Sequence, residues 1–295
     1  MAIIAGMAYC IKSFPIFSVP NAVGAMKPEF QSNMDRLCAI LSDAGYEPVI
    51  SNCIYPKIYP EAYGLHGTGA ERAAELMKLY TDPAITSIFD ISGGDMSNEL
   101  LPYLDFEVIR NSGKKFYGYS DLTTILNAIY TKTGKEAVLY QIRNLLYRHS
   151  EVQRRDFINT LQKNGNDLYD LDYHFIQGTA MEGVMIGGNI RCFLKLAGTE
   201  YMPDLHNKIL LLEALNTSVP QLITFLSQLK QLHAFDQVNG ILLGTFTRME
   251  KEQVQPDAVT LVREFAGPEL PIAKTAYIGH GSDSKGAVIG RYYCI

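Results

Sequence analysis

Ile85-Thr86-Ser87-Ile88-Phe89-Asp90-Ile91 runs directly into Ser92-Gly93-Gly94-Asp95-Met96-Ser97-Asn98-Glu99-Leu100-Leu101. A short apolar run closed by paired glycines and followed by a new apolar pattern predicts a buried strand, a tight turn and a helix start. The glycines permit backbone angles closed to other residues. The first amides of the following helix lack intrahelical partners, so a serine at that turn has N–H donors beside its hydroxyl. Ser97 is therefore a candidate nucleophile with half an oxyanion hole. The same residues also read as a plain strand-to-helix turn with Ser97 as an N-cap, and the rest of the chain must decide between the two.

Outward from this stretch, strand and helix alternate. Met1–Cys10 reads as a first strand, and Met34, Leu37, Cys38, Leu41 and Ala44 follow helical spacing up to Gly45, a residue suited to a left-handed helix end. Thr68 and Glu71 form a capping-box signature for the next helix. The run Phe116-Tyr117-Gly118-Tyr119 gives way to Ser120-Asp121, read as caps of a helix from Leu122 to Tyr130 that stops at Gly134. Alternation of this kind predicts parallel strands joined by crossover helices, with ligand sites at the carboxyl ends of the strands. Pro102 lies within the first turns after Ser97 and predicts a short or kinked helix there.

The segment from Tyr147 to His174 turns polar and reads as a crossing between domains. A second pattern follows: a strand Gly183–Asn189, a helix Ile190–Leu196, the strand Lys208–Leu212 ending on Glu213, a helix Pro220–Leu232, the strand Gly240–Gly244, a helix Pro256–Phe265 and a strand-like close at Ala287–Ile295. The domains expected are 1–150 carrying the nucleophile, a linker at 151–178, and 179–295.

Composition narrows the function. With 295 residues, 47% hydrophobic and 19% charged, the chain has the make-up of a globular protein with a large core. A net charge of −5 with scattered Lys and Arg excludes the basic stripe that nucleic-acid binding needs. The amino-terminal stretch has no positive leader and is too short to span a bilayer, which predicts a cytoplasmic protein with no membrane partner. The 5 cysteines show no CxxC pairing and read as reduced, mostly buried thiols. The 6 histidines lack metal-ligand spacing, so neither a metal nor a cofactor is expected.

Gly279-His280-Gly281 sets an imidazole on a loop late in the chain. Ser97, Glu213 and His280 then follow the serine, acid, histidine order of some triad hydrolases. The α/β-hydrolase elbow is excluded, because Asp95 and Glu99 stand where that motif requires glycine.

Gly93-Gly94-Asp95-Met96-Ser97-Asn98-Glu99-Leu100-Leu101-Pro102-Tyr103-Leu104-Asp105 resembles the nucleophile segment of the LD-carboxypeptidase family of serine peptidases. Gly118-Tyr119-Ser120-Asp121-Leu122-Thr123, Gly187-Gly188-Asn189, the strand to Glu213 and Gly279-His280-Gly281 resemble further family segments in the same order. The resemblance implies an α/β protein: an N-terminal parallel-sheet domain similar to class I glutamine amidotransferases, and a smaller C-terminal α/β domain of the swivelling β/β/α type. It implies Ser97 as nucleophile, Glu213 as acid and His280 as base, with no cofactor. For the oxyanion, the amide of Asn98 and one from Gly93 or Gly94 are nominated, each contributing about 3 kcal/mol. Helix capping is the reading preferred for Ser120 and Asp121.

The expected activity is a serine carboxypeptidase, an LD-carboxypeptidase acting on murein peptides in peptidoglycan recycling. The alternatives are a microcin C immunity-type peptidase acting on aminoacyl- or peptidyl-nucleotides and an inactive binding protein on the same scaffold. A cysteine-dependent hydrolase is disfavoured because Ser97 stands where its thiol would be. The partners implied are a small peptide or peptidyl-nucleotide and a second copy in a homodimer. The chain departs from the family after Gly134, where Lys135–Gln141 replaces a Gly-Pro turn, and after Glu213, where Ala214-Leu215-Asn216 replaces a second acid.

Overall fold

The computed structural model describes residues 12–17, 28–51, 68–163 and 165–295. The strand expected at Met1–Cys10 lies outside the described residues. The strands are β1 (Lys12–Phe17), β2 (Tyr46–Ile50), β3 (Ser87–Asp90), β4 (Lys115–Gly118), β5 (Ala137–Leu139), β6 (His174–Gln177), β7 (Glu182–Asn189), β8 (Lys208–Ala214), β9 (Gly240–Phe246), β10 (Ile272–Lys274), β11 (Ala287–Ile289) and β12 (Tyr292–Cys294). They form two six-stranded sheets, ordered β11-β5-β4-β3-β1-β2 and β12-β7-β8-β9-β10-β6. The interior pairings of both sheets are parallel. Antiparallel strands close the remaining edges through β11 on β5, β12 on β7 and β6 on β10. This is the parallel-rich α/β architecture that the alternation of apolar runs and helical patterns predicts.

The principal helices are α1 (Pro28–Asp43), α2 (Gly69–Thr81), α3 (Phe106–Asn111), α4 (Thr123–Thr133), α5 (Ser150–Gln162), α6 (Ile190–Leu194), α7 (Val219–Gln231) and α8 (Ala258–Ala266). Local chemistry explains their ends. Thr68 and Glu71 form the expected capping box at the start of α2. Gly45 takes φ +83° after α1. Pro102 coincides with a 3₁₀ turn, Ser97–Tyr103, in place of an α-helix, and Asp105 then caps α3 with its side chain.

Two segments are organised differently from their polar or terminal appearance. Residues 151–178, expected as a linker, contain most of α5, whose Phe157 is buried with Phe89 and Tyr46 under the first sheet, and β6, which joins the second sheet. Within the expected domain 179–295, β11 crosses back to complete the first sheet. The departure Lys135–Gln141 contains β5, so those residues serve as a strand of the first sheet rather than a turn.

α4 joins the two halves. Thr123 to Ile129 are all buried, a pattern that belongs to a helix enclosed on every side rather than a surface helix. One apolar cluster runs from Ile88, Phe116 and Leu126 through to Met185, Ile209 and Leu211, uniting the two sheets. Polar contacts fix the register of this contact. Asn127 Nδ2 donates to the Gly187 carbonyl at 2.9 Å while Asn127 Oδ1 accepts from the Gly187 N–H at 2.9 Å. Replacing Asn127 with Ala leaves both buried groups of Gly187 unpaired. Asn127→Ala is expected to cost about 1–3 kcal/mol per abandoned group, read as a lower denaturation midpoint in urea.

Candidate active site

At the end of β3 the buried Asp90 carboxylate folds the chain back on itself. Its Oδ1 accepts from the Ser92 N–H at 2.8 Å, the Ser92 hydroxyl at 3.0 Å and the Gly93 N–H at 3.2 Å. Gly93 and Gly94 both take positive φ, +64° and +140°. They bring this loop against the end of β4, so that a Cβ built on Gly93 would lie 3.3 Å from the Ser120 Cβ.

Ser120 follows β4 after a single residue and has φ +55°, a left-handed conformation uncommon outside glycine. The chain then enters the 3₁₀ turn Ser120–Leu122 and α4. A serine in a strained strand-to-helix turn at the carboxyl end of a parallel strand has the geometry of a nucleophile elbow. Gly118 is required for it, because a Cβ there would come within 2.7 Å of the Leu122 Cβ. Neither Ser120 nor Asp121 caps α4: no side-chain cap bond is present at that helix start. The capping reading of these residues is corrected accordingly.

Asp121 instead holds the turn from beneath. Its carboxylate is fully buried; Oδ2 accepts from the Ser97 N–H at 2.8 Å and Oδ1 from Lys195 Nζ at 2.5 Å. The same ammonium donates to the Asp95 carbonyl at 2.6 Å.

Ser97 itself is fully buried. Its hydroxyl donates to the Asp121 carbonyl at 2.6 Å and lies 2.5 Å from the Thr124 hydroxyl. It does not line the cavity that contains His280. The structure therefore does not bring the expected nucleophile Ser97 to the imidazole: its hydroxyl proton is committed to a backbone carbonyl and the residue lies outside the cavity. Asn98 is exposed and lies outside the cavity lining. Gly93 and Gly94 do line the cavity, but the Gly93 N–H is spent on Asp90.

The acid and the imidazole meet. His280 Nδ1 lies 2.8 Å from Glu213 Oε2, with side chains only 7% and 2% exposed. Glu213 Oε1 accepts from Asn189 Nδ2 at 2.9 Å, and the Asn189 N–H donates to Thr123 Oγ1 at 3.0 Å. With the carboxylate accepting Nδ1–H, the ring presents Nε2 as an acceptor, and that atom is buried with no hydrogen-bond partner among the described residues. The Tyr119 ring packs on the imidazole at 5.6 Å between centroids. Burial pushes the Tyr119 phenol up, opposed by Arg143, so it stays a neutral hydroxyl.

The His280 loop is fastened to the first half of the molecule. Asn144 and Gln153 both donate to the Ser284 carbonyl at 3.1 Å, and His149 meets Ser282 at 2.9 Å. Gly279 packs so closely on Thr245 that a Cβ would lie 1.9 Å from its hydroxyl oxygen.

Ser120, His280, Gly94, Asn189 and Arg191 line a common cavity of about 420 Å³ at the strand ends. Of the two serines near strand ends, Ser120 and not Ser97 lines the cavity with His280, and the Gly-x-Ser spacing of Gly118 and Ser120 was the available signal in the sequence. Among the described residues no group of three or more His, Cys, Asp and Glu side chains is arranged to hold a metal ion, and no helix is long and apolar enough to cross a membrane.

Two family models match the chain: the LD-carboxypeptidase N-terminal domain over residues 19–141 and the LD-carboxypeptidase C-terminal domain over 182–295. Among curated proteins, the microcin C7 self-immunity protein MccF of Escherichia coli is 32% identical over 278 residues, covering 79% of each chain. The murein tetrapeptide carboxypeptidase of Pseudomonas aeruginosa is 26% identical, covering 77% of this chain and 78% of that protein. Among solved structures, MccF in complex with glutamyl sulfamoyl guanosine superposes with a TM-score of 0.82 at 25% identity, over 97% of this chain and 93% of that one.

The Lys195–Asp121 pair yields a direct expectation. Lys195→Met strands a fully buried carboxylate, and the protein is expected to lose about 3–5 kcal/mol of stability, measured by chemical denaturation.

Proposed function

The chain belongs to the LD-carboxypeptidase family of serine-type carboxypeptidases, and from that premise we propose that Ser120 is its nucleophile, His280 its base and Glu213 its acid. The observation that carries this reading is the left-handed Ser120 sharing a cavity with an imidazole whose Nδ1 is held by Glu213 and whose Nε2 is unpartnered among the described residues.

Ser120 Oγ attacks the scissile carbonyl carbon as His280 Nε2 takes its proton. Glu213 fixes the tautomer and stabilises the imidazolium. The oxyanion is received by the N–H of Asp121, which follows the nucleophile, and by that of Gly94, each contributing about 3 kcal/mol in the transition state. His280 then protonates the leaving amine, the terminal amino acid departs, and a water deprotonated by the same ring hydrolyses the acyl-enzyme. Cysteine chemistry is disfavoured at this site: Cys192 is buried, and burial with the Asp121 carboxylate nearby pushes its thiol well up.

The substrate favoured is a murein tetrapeptide, from which the enzyme releases terminal D-alanine in peptidoglycan recycling. A second reading, hydrolysis of aminoacyl-nucleotide conjugates, draws on the similarity to MccF and on Phe225, an aromatic face in the cavity wall of a chain that has no Trp. Cytoplasmic action is part of the proposal, supported by the free thiols of Cys38, Cys192 and Cys294. A homodimer rests on the family resemblance alone.

The decisive comparison is between two serines. Ser120→Ala is expected to lower kcat at least about 10⁴-fold with the fold intact, while Ser97→Ala keeps kcat within about tenfold and lowers the thermal midpoint. An active-site phosphonate should label the Ser120 peptide, and labelling at Ser97 would reverse the assignment. Incubation with murein tetrapeptide and with an aminoacyl sulfamoyl adenosine, followed by mass spectrometry, separates the substrates: release of D-alanine supports the first, and release of the sulfamoyl nucleoside alone supports the second.

A further inference from the structure

A carboxypeptidase needs a cation close to its nucleophile. The free carboxylate of the residue being removed lies within one Cα step, about 3.8 Å, of the scissile linkage, and burying it unpaired is costly. Among the described residues lining the cavity, Arg191 is the one guanidinium or ammonium group, and it stands two positions after Asn189, which holds Glu213. Its Nη1 pairs with the Asp95 carboxylate across the seam between the halves. The other edge of the guanidinium makes no hydrogen bond among the described residues, and the side chain is 45% exposed. A planar fork with one edge anchored and the other open suits bidentate capture of a carboxylate.

We propose that Arg191 recognises the terminal carboxylate of the substrate, with Asp95 as the counter-ion that orients it. The backbone of Asp95 is itself secured through Lys195 to the buried Asp121, so the anchor is tied to the same support as the Ser120 turn. The cation thereby makes the cavity a carboxypeptidase site rather than a general amidase site. This deepens the reading of Ser120 as nucleophile and rests on it.

The test uses Ser120→Ala as a binding form and, as ligands, L-Ala-γ-D-Glu-meso-diaminopimelyl-D-Ala and the same peptide as its C-terminal amide. Calorimetry on Ser120→Ala is expected to give at least tenfold tighter binding of the acid than of the amide, about 1.4 kcal/mol. Adding Arg191→Gln should remove that preference, and Arg191→Lys should retain part of it. In the otherwise wild-type enzyme, Arg191→Gln should raise KM for the acid at least tenfold with kcat changed less than threefold. Asp95→Asn, which leaves an amide oxygen to orient the guanidinium but removes the counter-charge, should keep the preference for the acid and lose less affinity for it than Arg191→Gln.

Equal binding of acid and amide, binding of neither, a preference that survives Arg191→Gln, or equal losses in Asp95→Asn and Arg191→Gln would each overturn the proposal. Failure of the underlying reading is distinguishable, because it appears as full turnover by Ser120→Ala itself.

Discussion

The buried carboxylate of Asp121 is the constraint on which the site depends. A fully desolvated carboxylate requires donors, and it obtains them from the Ser97 N–H and the Lys195 ammonium, groups from different parts of the chain. Each bond draws a separate segment to the residue next to Ser120. The loop after β3 arrives with Ser97 and α6 is followed by Lys195, so turn, loop and second half are gathered at one point. Replacing that carboxylate by an apolar group would remove not one interaction but the reason the three segments meet.

From this point a continuous polar relay crosses the molecule. Thr123 and Asn127 on α4 grip the backbone at Asn189 and Gly187, the Asn189 side chain grips Glu213, and Glu213 grips the imidazole. The imidazole loop is fastened in return to Asn144, His149 and Gln153 of the first half. The imidazole is thus located from both sides by groups with fixed hydrogen-bond geometry. Such location matters because proton transfer from a serine needs heavy atoms within hydrogen-bond reach. The apolar cluster shared by the two sheets supplies the cohesion, whereas the directional bonds supply the register.

Much of this was legible in the sequence, for identifiable reasons. The helical spacing of Met34, Leu37 and Leu41, the Thr68–Glu71 box and the Lys208–Leu212 run are local patterns whose outcome depends on near neighbours. Glu213 stood out because an acid ending a buried run needs a partner, and His280 because of its flanking glycines. The choice between Ser97 and Ser120 is of another kind. Both follow apolar runs, and both have glycine nearby. What separates them is that the Ser97 hydroxyl meets the Asp121 carbonyl, a contact 24 residues away in sequence that no local pattern encodes. The polar composition of α5 concealed its buried Phe157 in the same way, since its burial is decided by Phe89 and Tyr46.

The left-handed backbone at Ser120 has an energetic logic. A non-glycine residue in that region costs on the order of 1–3 kcal/mol and persists only where its surroundings over-determine it. Here the over-determination is visible: Gly118 admits the Leu122 side chain, Gly93 approaches Ser120 at contact distance, and the Asp121 carbonyl is fixed by the Ser97 hydroxyl. Ser97 is therefore one of the groups that hold Ser120 in its unfavourable conformation. The amide after the strained serine is the one proposed to receive developing negative charge. The strain is of the same order as the stabilisation one such amide supplies to an oxyanion, about 3 kcal/mol. A relaxed turn at this position would recover the conformational energy and alter where the Ser120 side chain stands in the cavity it shares with His280.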